Sequence, residues 1–255
     1  MKKLITVLAV PFIFSLANAQ NVAIGVRAGI SIPNLTAGSG NKNPLNNGYG
    51  SRLGPDGAVF AAFKFSDVFS LRPMIEYSAQ GGKKNGLQAF TTPDELKGMF
   101  PAGQAPDYLY ANYKSEARLN YLLLPVLGAA GWNIRNTRLR FYVSAGPFVG
   151  LLISAHQVTN GRSEFFTDPE GRQALPGGAQ SFDNDSNVRN SLHRVNGGIE
   201  GNLGLAYAYG RNNFFIEGGG NYGFFNIQKN AVDGKNNTGA AIVTLGYSYQ
   251  LKQYN

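Results

Sequence analysis

Ser154 and His156 stand two residues apart near the end of a long apolar stretch, a spacing that puts a hydroxyl and an imidazole on one side of an extended chain. A base must reach its nucleophile to activate it, and same-face neighbours on a strand approach that geometry. A hydrated histidine beside a polar loop produces the same pair, so no catalytic residue is assigned. His193, at the start of the sixth run, is placed near His156 across the same long loop, but two histidines without a third ligand make a poor zinc site. FDNDSN, with Asp183, Asp185 and Asn187, imitates the start of a calcium loop. It lacks the glycine at the sixth position and has Arg194 where the last acidic ligand belongs, so the expectation is a plain polar loop. No glycine pattern leads from a strand into a helix as nucleotide sites require, and no cofactor or metal is expected.

The charges show a clearer pattern. Arg27, Lys64, Arg72, Glu76, Glu116, Arg118, Arg140, Arg194, Glu200 and Glu217 alternate with apolar residues along their segments. In RLRFYVSAGPFVGLLISAHQ, Leu139, Phe141, Val143, Ala145, Pro147, Val149, Leu151 and Ile153 occupy one set of alternate positions. Arg138, Arg140, Tyr142 and Ser144 fall in the other. A period of two belongs to a strand and not to a helix.

The same alternation recurs eight times. It runs from Val22 to Ile32, near Gly57–Phe65, over Ser70–Gln80, near Tyr113–Trp132, over Arg138–Gln157, from Arg194 to Tyr207, from Phe214 to Ile227 and from Ala241 to Leu251. These runs reach the roughly 9 to 11 residues that a tilted strand needs to cross a bilayer. Short turns (SDVF, NIRNT, GRNN) alternate with long polar connections from Pro33, Lys84 and Gln157 and a shorter one through Asp233–Lys235. All the long loops therefore share one end. The expected fold is all-β: an eight-stranded antiparallel up-and-down transmembrane β-barrel, with periplasmic turns and extracellular loops. The glycines, as in Gly218–Gly220, read as packing and bending sites.

The chain's start agrees with that address. Lys2 and Lys3, the apolar run Leu4–Leu16 and Ala17-Asn18-Ala19 form a secretory signal pattern, giving an expected signal peptide at 1–19 and a barrel domain at 20–255. With 0 Cys, the chain has no disulfide, thiolate metal site or lipoprotein anchor. The basic residues are scattered, which excludes the clustered footprint of a nucleic-acid binder. The expected partners are outer-membrane lipid, the barrel-assembly machinery during biogenesis, and an envelope or extracellular protein held by the loops. The expected location is the outer membrane of a Gram-negative bacterium.

A lumen of eight strands is only wide enough to be filled by side chains. Arg27, Arg72, Glu76, Arg118, Arg140, Arg194, Glu200 and Glu217 are therefore expected to form a charge network that plugs it, with a narrow anion path as the alternative reading. Phe65, Trp132, Phe141, Tyr207, Phe214, Tyr247 and Tyr249 fall beside the short turns or near the C-terminus and read as a periplasmic aromatic girdle.

LNYLLLPVLGAAGW (119–132), RFYVSAGPFVGLLISA (140–155) and GGIEGNLGLAYAYGRNNFFIEGGGNYGF (197–224) together resemble the PorT-type outer-membrane barrel family of Bacteroidetes, a small OmpX- or OmpA-like barrel. The resemblance spans the mature chain and is more specific for fold than for function. The filled lumen and long loops give the expected role as structural or protein-interacting; the resemblance implies an accessory part in type IX protein secretion as the alternative, and the Ser154 and His156 pair leaves an outer-membrane lipid-modifying enzyme third. Two departures stand out: Leu123 replaces a glutamate of many members, and the chain runs past Tyr249 to Asn255.

Overall fold

A computed structural model describes residues 21–37 and 43–252. The expected signal peptide, 1–19, and the residues after Lys252 lie outside the described residues. The barrel strands are β1 (Asn21–Ala37), β2 (Gly54–Lys64), β3 (Phe69–Thr91), β4 (Tyr108–Asn133), β5 (Leu139–Asn160), β6 (Val195–Tyr209), β7 (Asn212–Gly223) and β8 (Asn236–Lys252). Each pairs antiparallel with the next, and β8 returns to β1, so the ring closes. Within the ring, closure leaves no open edge and satisfies the backbone inside the sheet, the condition for crossing lipid. Ile24, Val59, Ile75, Leu124, Val149, Leu203 and Leu245 point outward and are exposed, forming the apolar belt.

The strands differ in length for a physical reason. β6 and β7 have 15 and 12 residues, close to what a bilayer needs, whereas β3, β4 and β5 have 23, 26 and 22. The surplus stands above the membrane as a three-stranded extension. The second long connection is consequently much shorter than the sequence implies, covering only 92–107 instead of beginning at Lys84.

Two inward-phase expectations are corrected. On β4 the inward side chains are Leu119, Tyr121, Leu123 and Leu127, at most 2% exposed, so Glu116 and Arg118 face out. Both faces of LNYLLLPVLG are apolar, so alternation alone gives it no phase; packing against Phe148 and Leu152 decides. On β5, Asn120 pairs with Ser154 and Tyr121 with Leu152, which leaves Ile153 unpaired in a bulge. A bulge shifts every later side chain to the other face. Phe148 and Leu152 point in below it, Ala155 points in above it, and Ser154 and His156 turn outward.

The lumen is filled in layers. Ala58, Phe60, Met74, Leu127, Tyr142, Ala206 and Phe215 form an apolar layer towards the short turns. Leu119, Tyr121, Leu123, Phe148 and Leu152 form another towards the long loops, covered by Leu192 and Ile227 from those loops. Charged side chains lie between the two layers. Because the backbone bonds close on themselves, the unheated protein should migrate differently from the boiled one in SDS and fractionate with outer membranes. Recovery as a soluble periplasmic species would contradict the fold.

Candidate functional site

Arg27 of β1 organises the middle of the lumen. Its guanidinium donates to Glu76 of β3 at 2.5 Å, Glu200 of β6 at 2.7 Å and Glu217 of β7 at 3.0 Å. All four side chains are at most 1% exposed. Glu217 also accepts from Arg72 at 2.5 Å and from the Tyr142 hydroxyl at 2.8 Å. Four strands on different sides of the ring are thus tied through one residue.

Arg72 has a second set of contacts. Its guanidinium carbon lies 5.5 Å from the Phe60 ring centre, 5.0 Å from Tyr142 and 6.0 Å from Phe215, a cage of three cation–π contacts. Each ring lies over a cross-strand glycine: Phe60 opposite Gly25, Tyr142 opposite Gly204 and Phe215 opposite Gly246. A Cβ added at these glycines would fall 2.4, 2.1 and 2.1 Å from the ring it faces, so the missing side chain makes room for the aromatic.

Of the eight residues expected in the network, Arg27, Arg72, Glu76, Glu200 and Glu217 meet. Three lie elsewhere. Arg118 is exposed on the outer face and pairs with Glu116 at 2.8 Å. Arg140 sits at the turn end, donating to the Asp67 carbonyl at 2.8 Å and so joining two turns. Arg194 is exposed at the loop end of β6. Lys64 pairs with Asp67 of its own turn at 3.3 Å. Asp56, buried and bonded to Ser78 at 3.0 Å, belongs beside the cluster and was missed. It lies in GPDG, a segment that reads as a turn.

The aromatic positions lie at the turn end of the wall. Trp132, Phe141, Tyr207 and Phe214 are exposed outward, while Phe65, Tyr247 and Tyr249 are half-buried, with Phe214 and Tyr247 in contact at 5.3 Å.

At the opposite end the loops close over the lumen. Lys84 donates to the Leu45 carbonyl at 2.6 Å and lies 4.3 Å from the Tyr49 ring centre, while Asn236 donates to Asn46 at 2.8 Å. Leu192 bridges to Gln228, joining the third and fourth loops. Burial lowers the Lys84 ammonium to about 8. The unfolded chain keeps an ordinary lysine near 10.4 and so binds the proton more readily between those values; stability therefore rises as pH goes from about 8 to about 10. Unfolding midpoints across that range should increase in the native protein and lose part of that increase in Lys84→Met. Parallel pH profiles would remove Lys84 from the closure.

The third loop is ordered by the extension. Asn184–Asn187 pairs with β5, and Phe166 bridges to Tyr110 of β4. Phe182 stacks on Tyr113 with ring centres 4.4 Å apart and meets Phe90 and Phe165 at 5.9 and 5.8 Å. Asp185 takes the His156 imidazole at 2.8 Å, and Asp183 accepts from the Gly161 amide. These two carboxylates therefore order the loop.

The model of the outer membrane protein beta-barrel domain family matches residues 18–229. The chain belongs to that family. Its place is the outer membrane of a Gram-negative bacterium. No curated protein sequence matches it. Among solved structures, Neisserial surface protein A is 13% identical with a TM-score of 0.39, covering 89% of this chain and 97% of that one. Ail of Yersinia pestis is 10% identical with a TM-score of 0.36, covering 90% and 98%. OprG of Pseudomonas aeruginosa is 10% identical with a TM-score of 0.37, covering 92% and 99%.

Proposed function

We propose that the barrel is a closed, non-enzymatic anchor that displays an ordered extracellular surface for binding another envelope or extracellular protein. The observation that carries this reading is the continuation of β3, β4 and β5 above the belt with the third loop folded onto them. An anchor alone needs no such extension, and long ordered loops on rigid strands are where binding residues concentrate. The double apolar closure of the lumen supports a binding role over conduction.

Trypsin on intact cells should cut at exposed Arg172 and spare Lys83 and Lys84, which lie in β3. Replacing 164–180 with a Gly/Ser linker should leave a heat-modifiable barrel. A photo-crosslinker at Asn184, exposed on the part of the third loop that both proteins keep, should give an adduct in living cells that the linker variant lacks. Secretion of reporter proteins and the mass spectrum of lipid A should be unchanged in a deletion strain. A secretion defect would transfer the protein to the secretion machinery, and an altered lipid A would make it an enzyme.

A further inference from the structure

The outward turn of β4 creates a surface that the plugged lumen does not use. Glu116 lies between two arginines, Arg52 at 2.7 Å and Arg118 at 2.8 Å. The bond from Arg118, with that from Arg52, holds its carboxyl below the usual range despite partial burial, so it stays ionised and compensated. Lys83 pairs across the strands with Glu116, and Lys114 with Asn85 and Asn160. Neither lysine has a carboxylate within ion-pair distance among the described residues. Lys83 is diagonal to both Lys114 and Arg118, about 7 to 8 Å across the strands, so a headgroup with two phosphates can span these cations. They line a concavity of about 470 Å³. Asp185, which also acts on Arg118, is held by His156 at 2.8 Å.

Height selects the ligand. Asn120 and Ser154 pair immediately below Arg118, and Leu122 and Leu151 pair below them at the top of the apolar wall. The patch therefore stands directly above lipid-facing surface, in the polar margin of a bilayer whose apolar core is about 30 Å thick. Elsewhere around the upper rim, Val195, Phe224 and Phe225 are exposed and apolar. Lipid is held against this wall continuously, whereas a free anion must be captured from solution.

We propose that Lys83, Lys114 and Arg118 bind a phosphorylated headgroup of an outer-leaflet lipid whose acyl chains lie on the wall of β3, β4 and β5. Basic residues at a membrane surface each strengthen binding of anionic lipid about five-fold, so removing both lysines should weaken it about thirty-fold. Native mass spectrometry of the detergent-solubilised protein with bisphosphorylated lipid A reads this directly. Lys83→Gln/Lys114→Gln should keep the heat-modifiable mobility and lose the adduct, while Arg135→Gln/Arg211→Gln at the turn end should keep it. Dephosphorylated lipid A should bind weakly to both. Equal adducts from the native protein and the lysine variant would overturn the proposal, as would equal binding of the phosphate-free lipid. Displacement of the lipid by inorganic phosphate at equal concentration would make it a soluble-anion site instead.

Discussion

Replacing Arg27 with methionine should lower the unfolding free energy by about 3 to 5 kcal/mol, the effect of removing one partner from a buried charge cluster. Methionine fills much of the same volume, so the loss reflects charge more than a cavity. Glu76 and Glu200 would lose their guanidinium inside the barrel, while Glu217 would keep Arg72. Arg27→Met/Glu76→Gln/Glu200→Gln should recover a large part of the loss, because an uncharged set costs less to bury than an unpaired one. Glu200→Ala alone should cost a few kcal/mol, since Arg27 keeps two carboxylates. Urea titration of the folded and unfolded gel bands in lipid vesicles measures all of these. An unchanged midpoint for Arg27→Met would show that the cluster adds no stability. None of these variants should give large conductance steps in planar bilayers, because the apolar layers close the lumen on either side of the charges.

The part of this cluster legible in the sequence is the part that lies at bilayer depth. There the lipid forbids an outward charge, so an arginine or glutamate alternating with apolar residues must point in; Arg27, Arg72, Glu76, Glu200 and Glu217 obey that rule. Above the belt the constraint ends. Glu116 and Arg118 alternate just as regularly, yet they face water and headgroups. The polar segment KKNGLQAFT reads as loop for the same reason: with no lipid beside it, its strand has no apolar outer face to show. The β5 bulge was hidden too, because Ile153 continues an unbroken alternation. Only the register with β4 reveals that it has no partner. The aromatic cage of Arg72 depends on register in the same way, since Phe60 meets Gly25, and Tyr142 meets Gly204, only once the strands are aligned.

That alignment makes the glycines of the wall unequal, and substitution should separate them. Gly204→Leu places a side chain where the Tyr142 ring lies, with the first added carbon 2.1 Å from it. The ring cannot swing inward freely, because Phe60, Phe215 and the Arg72 guanidinium occupy that space. If it moves, its hydroxyl leaves Glu217, so overpacking and a lost buried hydrogen bond act together. Overpacking a filled core costs about 1 to 3 kcal/mol, and losing a hydrogen bond to a charged acceptor adds about 1.5 to 3 kcal/mol, although Arg72 still donates to Glu217. The combined loss should appear as a lower urea midpoint and a smaller heat-modifiable fraction. Gly218 provides the matched control, since nothing lies within 4 Å of its missing Cβ and it faces outward next to Glu217. Gly218→Val should be neutral or stabilising, because a β-branched side chain suits a lipid-facing strand better than glycine. Tyr142→Ala in the Gly204→Leu background should recover part of the packing loss, since the added leucine then occupies the volume the ring vacates. Equal destabilisation by Gly204→Leu and Gly218→Val would mean that the glycines serve strand bending alone, with no space reserved for the rings.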